Sequence, residues 1–231
     1  MKKIQILTII CLCTLLAWSC SSYKEVSLIY NKKVNPTRVQ IQDKSILLTP
    51  IVHLGQKEFF DALTDSIVKW KSQGYRVFYE EINIGPHEQN IPVATYETIF
   101  RKFRKMVGGA VTREHYGDLG ETFKGAIPQP LYSEVGVDSL DFNADVTIKE
   151  FVEEYERLYG PVTLSTCDLN TSLDSAFTCN EPLSNDMDPV IDDFRNRMLV
   201  KQLVAAKEKK IVVLYGAIHI KPLKKMLSKV K

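Results

Sequence analysis

Six side chains with acid–base or hydrogen-bonding chemistry stand beside apolar runs, where side chains of that kind are costly. His53 closes "SILLTPIVH" (residues 45–53). Glu80 and Glu81 end "RVFYEE". Arg195 and Asn196 follow an acidic turn, "DPVIDDFRN", and His219 follows "IVVLYGA" (residues 211–217). Two neutral imidazoles and a carboxylate can hold one divalent ion with a position open for water, whose acidity then rises towards neutrality. The same residues without metal suit a histidine that takes a proton from water while Glu80 orients it. Glu80 and Glu81 point to opposite faces if they continue a strand, so one of them faces a given pocket. The bland alternatives are a histidine capping a strand and a structural Glu80–Arg195 ion pair. The sequence holds no GxSxG, HExxH or glycine-rich phosphate loop, which disfavours a serine nucleophile.

The elements that must position these residues follow from periodicity. Residues 45–53 and 211–215 read as strands buried on both faces, as in the interior of a parallel sheet. Between 57 and 73, Phe60, Leu63, Ile67 and Trp70 recur at helical spacing and Gly74 follows. With residues 76–82 as the next strand, this is a strand–helix–strand unit and implies a right-handed parallel crossover. If the strands of His53, Glu80 and His219 are parallel neighbours, their carboxyl ends form one rim, where open α/β sheets bind ligands. Gly216 would permit a close approach of backbone or ligand there.

The middle of the chain reads as a helical insertion over residues 94–160. Residues 94–107 carry Tyr96, Ile99, Phe100, Phe103 and Val107 on one side and Arg101, Lys102, Arg104 and Lys105 on the other, a basic stripe read as a solvated face. Residues 108–146 are irregular. "TIKEFVEEYERLYG" opens with a Thr147/Glu150 capping box and stops at Gly160-Pro161. A helix starting at Asp188-Pro189 and running to about Lys207 feeds the last strand. The expected fold class is therefore α/β, with a mainly parallel central sheet and flanking helices. His87 and His115 fall in loops and read as surface residues.

The first residues belong to a different regime. Lys2 and Lys3, the apolar run 4–16 and the small residues of "AWSCSS" give a secretory signal over residues 1–19, too short for a membrane-spanning helix. Residues 20–43 read as a tether and 44–231 as the domain. The 231 residues carry 30 Lys and Arg against 28 Asp and Glu; losing Lys2 and Lys3 leaves 28 against 28. Zero net charge gives no argument for nucleic acid as a partner. Cys167 and Cys179 remain in a polar loop twelve residues apart. Since neither is in a CxxC pair, an exported chain suggests a disulfide between them.

Two resemblances add to this reading. Ala17, Ser19 and Cys20 resemble the lipobox of bacterial lipoproteins, which implies Cys20 as the lipidated first residue, attachment to a membrane and, with Ser21 and Ser22 following, the outer membrane. Then "VHLGQKEFFDAL", "YRVFYEEI", "LDFNADVTIKEF", "DDFRNRMLVKQL" and "VVLYGAIHI" occur in the order seen in the TraB/GumN family. That family is related to the Tiki proteases and, more distantly, to the erythromycin esterase and ChaN haem-uptake folds (EreA/ChaN-like). Its two Gly-x-x-His motifs, glutamate and Arg-Asn pair map onto His53, Glu80, Arg195 with Asn196, and Gly216 with His219. The first motif departs, with Pro50 in place of glycine. The resemblance implies a cell-envelope hydrolase, peptidase-like, on a peptide or small-molecule ligand, with a divalent metal held by His53, Glu80 and His219 and with Arg195 holding Glu80 or stabilising an oxyanion. The rival it leaves open is a lipoprotein that binds haem or a peptide without catalysis, or an inactive scaffold.

Overall fold

The structure is a computed structural model and describes residues 28–82, 91–108, 123–173, 175, 177–179, 183 and 185–230. Cys20, the signal residues, His87 and His115 lie outside these.

The expected strand–helix–strand unit is present. Strand β1 (Thr37–Ile41) is followed by β2 (Lys44–Ile51), a short β3 (Leu54–Gln56), helix α1 (Lys57–Ser72) and β4 (Arg76–Tyr79). Helix α2 (Val93–Met106), strands β5 (Ala126–Pro128) and β6 (Phe142–Asn143), and helices α3 (Ile148–Tyr159) and α4 (Thr166–Asn170) come next. A π-helical segment, Pro189–Phe194, runs into α5 (Arg195–Ala205), then β7 (Lys210–Gly216) and α6 (Ala217–Leu227). The central sheet has the order β1-β2-β7-β4-β6; β3 and β5 form a separate antiparallel pair. All neighbours in the central sheet are parallel except β1 and β2.

The sheet is covered on both sides because β7 and β2 are apolar on both faces. Ile211, Val213 and Tyr215 pack with Leu199, Leu203 and Leu223 of α5 and α6. Val212 and Leu214 pack with Phe60, Leu63 and Ile67 of α1. A third cluster joins α2 and α3 through Met106, Phe151, Val152 and Tyr155. The Thr147/Glu150 capping box forms as read, with Glu150 N–H donating to Thr147 Oγ1 at 3.1 Å and Thr147 N–H to Glu150 Oε2 at 2.8 Å.

Four expectations are corrected. The tether is not tether to its end: Thr37–Ile41 is an edge strand, turned onto β2 through Gln42 and Asp43, with Ile41 opposite Lys44. Gln42 takes φ 49° there, a conformation that glycine or asparagine signals in a sequence and glutamine does not. The insertion is not wholly helical, since β6 adds a strand to the central sheet, and two residues are too few to leave a periodicity. His219 follows the last strand as read, but it lies in the first turn of helix α6 and not in a turn at the rim.

The basic stripe of α2 is not a solvated face. Arg104 and Lys105 are buried. Arg101 donates to the carbonyls of Asp168 and Thr171, and Arg104 to those of Thr171 and Ser172. Lys105 pairs with the buried Asp168 at 2.8 Å. The carbonyls left over at the end of α4 need donors, and the cations of α2 supply them. Asp168 also caps α4 reciprocally with Ser165.

Pro50 is tolerated within β2 because β1 pairs no further than Leu48, so from there β2 borders β7 alone. Cys167 and Cys179 are disulfide-bonded, their Cα atoms 5.9 Å apart. Closing that loop removes freedom from the unfolded chain. Replacing both cysteines by serine is expected to lower the unfolding free energy by about 3 kcal/mol, read from denaturant unfolding; an unchanged midpoint in oxidised protein would show that the bridge does not constrain the fold.

Candidate functional site

The carboxyl ends of β2, β4 and β7 lie side by side, with Ile51 opposite Gly216 and Tyr79 opposite Leu214. The Glu80 N–H extends the ladder to the Leu214 carbonyl at 3.1 Å. Residues following all three strands therefore meet at one edge of the sheet, as the parallel reading requires. The first turn of α5 approaches the same edge and brings Arg195 to it. The π-helical turn that precedes Arg195 is a feature often found at functional sites.

Arg195 is the hub. Its Nη2 donates to Glu80 Oε1 and to Asp145 Oδ2, both at 2.5 Å, and its Nε to Asp145 Oδ1 at 2.9 Å. Tyr215 Oη donates to the same Asp145 oxygen at 3.0 Å. The other oxygen of Glu80 accepts the Gly216 N–H. This explains the glycine: a Cβ at 216 would stand 3.1 Å from Glu80 Oε2 and 3.4 Å from the His219 ring. Burial pushes the Glu80 carboxyl up, but the Arg195 charge and the Gly216 N–H outweigh it and hold Glu80 ionised, below the usual carboxylate range. The two carboxylates in turn hold the Arg195 guanidinium charged despite its burial.

His219 is enclosed in this network, with 1 % of its surface exposed. Its ring meets Tyr215 edge-on at 5.1 Å between centroids. Nδ1 lies 3.1 Å from Asn196 Oδ1, and Nε2 lies 3.5 Å from Arg195 Nη1. One neutral tautomer satisfies both contacts: Nδ1–H donates to Asn196, and Nε2 accepts from Arg195. Burial, aided by the Arg195 charge, holds the imidazole below its ordinary value and so favours that neutral form. The expected rim position of His219 is thus corrected. The residue is a buried first-turn residue of α6, because Gly216 ends the strand and starts the helix at once.

His53 is different. It lies between β2 and β3 with an exposed ring, and its carbonyl accepts the Gln129 N–H at 2.8 Å. With Glu80, Glu81 and Arg195 it lines an open cleft of about 870 Å³. Tyr79, Phe103, Pro128, Pro130 and Tyr132 supply much of the apolar wall. Tyr132 and Tyr79 pack with their ring centroids 4.6 Å apart, and Tyr132 Oη donates to the Glu80 carbonyl at 2.6 Å. Both glutamates reach the cleft, although one was expected to face away, because the strand ends at Tyr79 and strict alternation ends with it.

The geometry brings together Glu80, Arg195, Asn196, Gly216 and His219, and places His53 with Glu80 and Arg195 on one cleft. His53, Glu80 and His219 do not make a metal-ligand group, and among the described residues no three histidine, cysteine, aspartate or glutamate side chains do. The donors are spoken for: a guanidinium stands between Glu80 and Asp145, and the His219 lone pair is turned to it. A divalent ion does not fit among donors that already enclose a cation.

Asp145 and Tyr215 are the residues that sequence reasoning missed. Asp145 follows β6 at the same sheet edge, and an acid after a strand is the signal that picked out Glu80. A two-residue strand hides it. Comparison with protein-family models, with curated proteins and with solved structures finds no match to this chain. No described helix is long and apolar enough to cross a membrane.

Two measurements follow from the network. Asp145→Ala strips Arg195 of its bidentate partner and is expected to cost about 3–5 kcal/mol of stability, the usual effect of leaving a buried charge half-paired; urea unfolding reads it, and a loss under 1 kcal/mol would mean that water replaces the carboxylate. For pH, both His219 and Glu80 are lowered in the folded protein, so each contributes stability above its unfolded value that is lost as pH falls towards the folded one. Stability should begin to fall below about pH 6.5, the ordinary imidazole value, and fall again below 4.5. His219→Gln should abolish the first decline and keep the second, as followed by urea midpoints from pH 8 to 3.

Proposed function

We propose that the protein is a cell-envelope hydrolase of the TraB/GumN type acting on a peptide, built on an erythromycin esterase/ChaN-like sheet and held at the outer membrane by lipid on Cys20. The supporting observation is the delivery of His53, Glu80 and Arg195 from separate segments to one cleft at the carboxyl edge of the sheet. The lipobox-like residues before Cys20 support the anchor, and the order of the motifs supports the family.

In this reading the reaction runs without a resident metal. His53, an exposed residue on the cleft, takes the proton from the water as it attacks the peptide carbonyl and gives it to the leaving amine nitrogen as the C–N bond breaks. Arg195 meets the developing oxyanion through Nη1, whose contact to His219 at 3.5 Å is the longest that the guanidinium makes. Glu80 is not the base, because both oxygens are bound by protein donors; it positions Arg195. Asp145 and Tyr215 position it from behind.

A second reading has a specific observation in its favour. Glu80 and His219 are satisfied within the protein, as suits a structural floor under a site that binds a peptide or haem and does no chemistry. Peptide hydrolysis by the intact protein decides between them. His53→Ala is expected to reduce turnover by about 10²–10⁴-fold, and Arg195→Lys to impair it as well, with circular dichroism unchanged for His53→Ala. Equal rates in wild type and His53→Ala would remove the catalytic role. A haem Soret band that depends on His53, with no hydrolysis of any peptide, would install the binding reading.

A further inference from the structure

The polar groups that line the cleft are unequally occupied. Arg195 is neutralised twice over by Glu80 and Asp145, so that network carries one net negative charge. Asp138 is paired with Lys71 at 2.8 Å and accepts the Leu140 N–H. Glu81 differs: among the described residues its carboxylate takes part in no hydrogen bond or ion pair, while its carbonyl accepts from Asn143 Nδ2 at 2.8 Å and fixes the backbone. On the same cleft, the side-chain oxygen of Gln129 is buried and accepts no hydrogen bond. One buried acceptor, the Gln129 oxygen, thus lacks a donor, and one exposed carboxylate, Glu81, has no protein cation beside it among the described residues, in a site whose lining cation is already committed. An unmatched buried acceptor is costly, so a ligand that brings a donor to Gln129 removes that cost, and the exposed Glu81 carboxylate adds a charge for a cationic donor to meet.

The apolar wall narrows the class of donor. Tyr79, Tyr132 and Phe103 present rings to the cleft, and prolines 128 and 130 continue the surface. Aromatic faces attract a cation and pack an aliphatic stem, and the volume of about 870 Å³ is of the order that takes a drug-sized molecule or a few peptide residues. An anionic ligand would meet net negative charge instead.

We propose, resting on the peptide reading above, that the cleft selects a segment bearing an alkylammonium group, which pairs with Glu81 between the tyrosine-lined wall and Gln129. A lysine side chain and a free amino terminus share that chemistry. Glu81 is here a specificity residue and not a catalytic one, and it is exposed, so its replacement leaves the core alone.

Blocked apolar pentapeptides with a central lysine or norleucine, and the norleucine peptide with its amino terminus free, distinguish the sources. Affinity is measured by calorimetry and cleavage by chromatography, on the full chain and on Glu81→Gln. Lysine is expected to exceed norleucine roughly tenfold in affinity, the worth of one charge-assisted hydrogen bond. Glu81→Gln should erase that preference and retain the binding of norleucine. A preference for the free amino terminus alone would assign the ammonium to the peptide end. Equal binding or cleavage of all three peptides overturns the ammonium selection and leaves the peptide function standing. Failure to bind or cleave any of them overturns both.

Discussion

A guanidinium taken out of water needs its charge matched in place, and much of the architecture around Arg195 serves that need. Glu80 comes from the end of β4, Asp145 from just beyond β6, Tyr215 and Gly216 from the end of β7, and His219 from the first turn of α6. Each of these elements is fixed in the sheet or against it, so the donors and acceptors converge without further adjustment. Removing either carboxylate leaves a buried charge incompletely paired, a costlier condition than the absence of the whole network. The cluster is therefore both a structural keystone at the sheet edge and the floor of the cleft. Its internal cation also changes the chemistry expected of the edge: donors arranged around Arg195 are not available to a metal.

A second set of cations, two of them buried and Arg101 half-buried, acts in the same way away from the cleft. Arg101, Arg104 and Lys105 lie against α4 and the chain after it, where carbonyl oxygens at a helix end and the Asp168 carboxylate await donors. The Cys167–Cys179 bridge closes the loop that supplies those carbonyls. Phe103, on the other side of α2, lines the cleft and packs edge-on against Phe151 of α3. The basic stripe thus anchors a helix whose opposite face contributes to the cleft wall.

These two clusters show why some features were legible and others not. That His53, Glu80 and the late histidine each follow a strand was readable because apolar runs mark strands, and the strand–helix–strand order makes those strands parallel. The Thr147/Glu150 cap and the helix stop at Gly160 were readable because both are local hydrogen-bonding or backbone effects. The role of the α2 cations was not. A lysine or arginine on the polar side of an amphipathic helix looks the same whether it faces water or a neighbouring helix end, and only the docking of α4 distinguishes them. β1 and β6 were hidden by their brevity and by the absence of a turn residue that marks its own conformation.

What the sequence by itself determined was the alternation of elements, the apolar character of the inner strands and the residue types at their carboxyl ends, because each is a property of a short stretch of chain. Tertiary structure decided what those residues do. Gly216 ends β7 and launches α6 within one residue, which turns His219 from the rim into the interior. Asp145, 50 positions before Arg195, becomes its main partner only because β6 joins the edge beside β4. Whether a histidine at a strand end faces solvent, a ligand or an arginine depends on the direction of the next element and on which distant charge is packed beside it. Spacing along the chain carries neither.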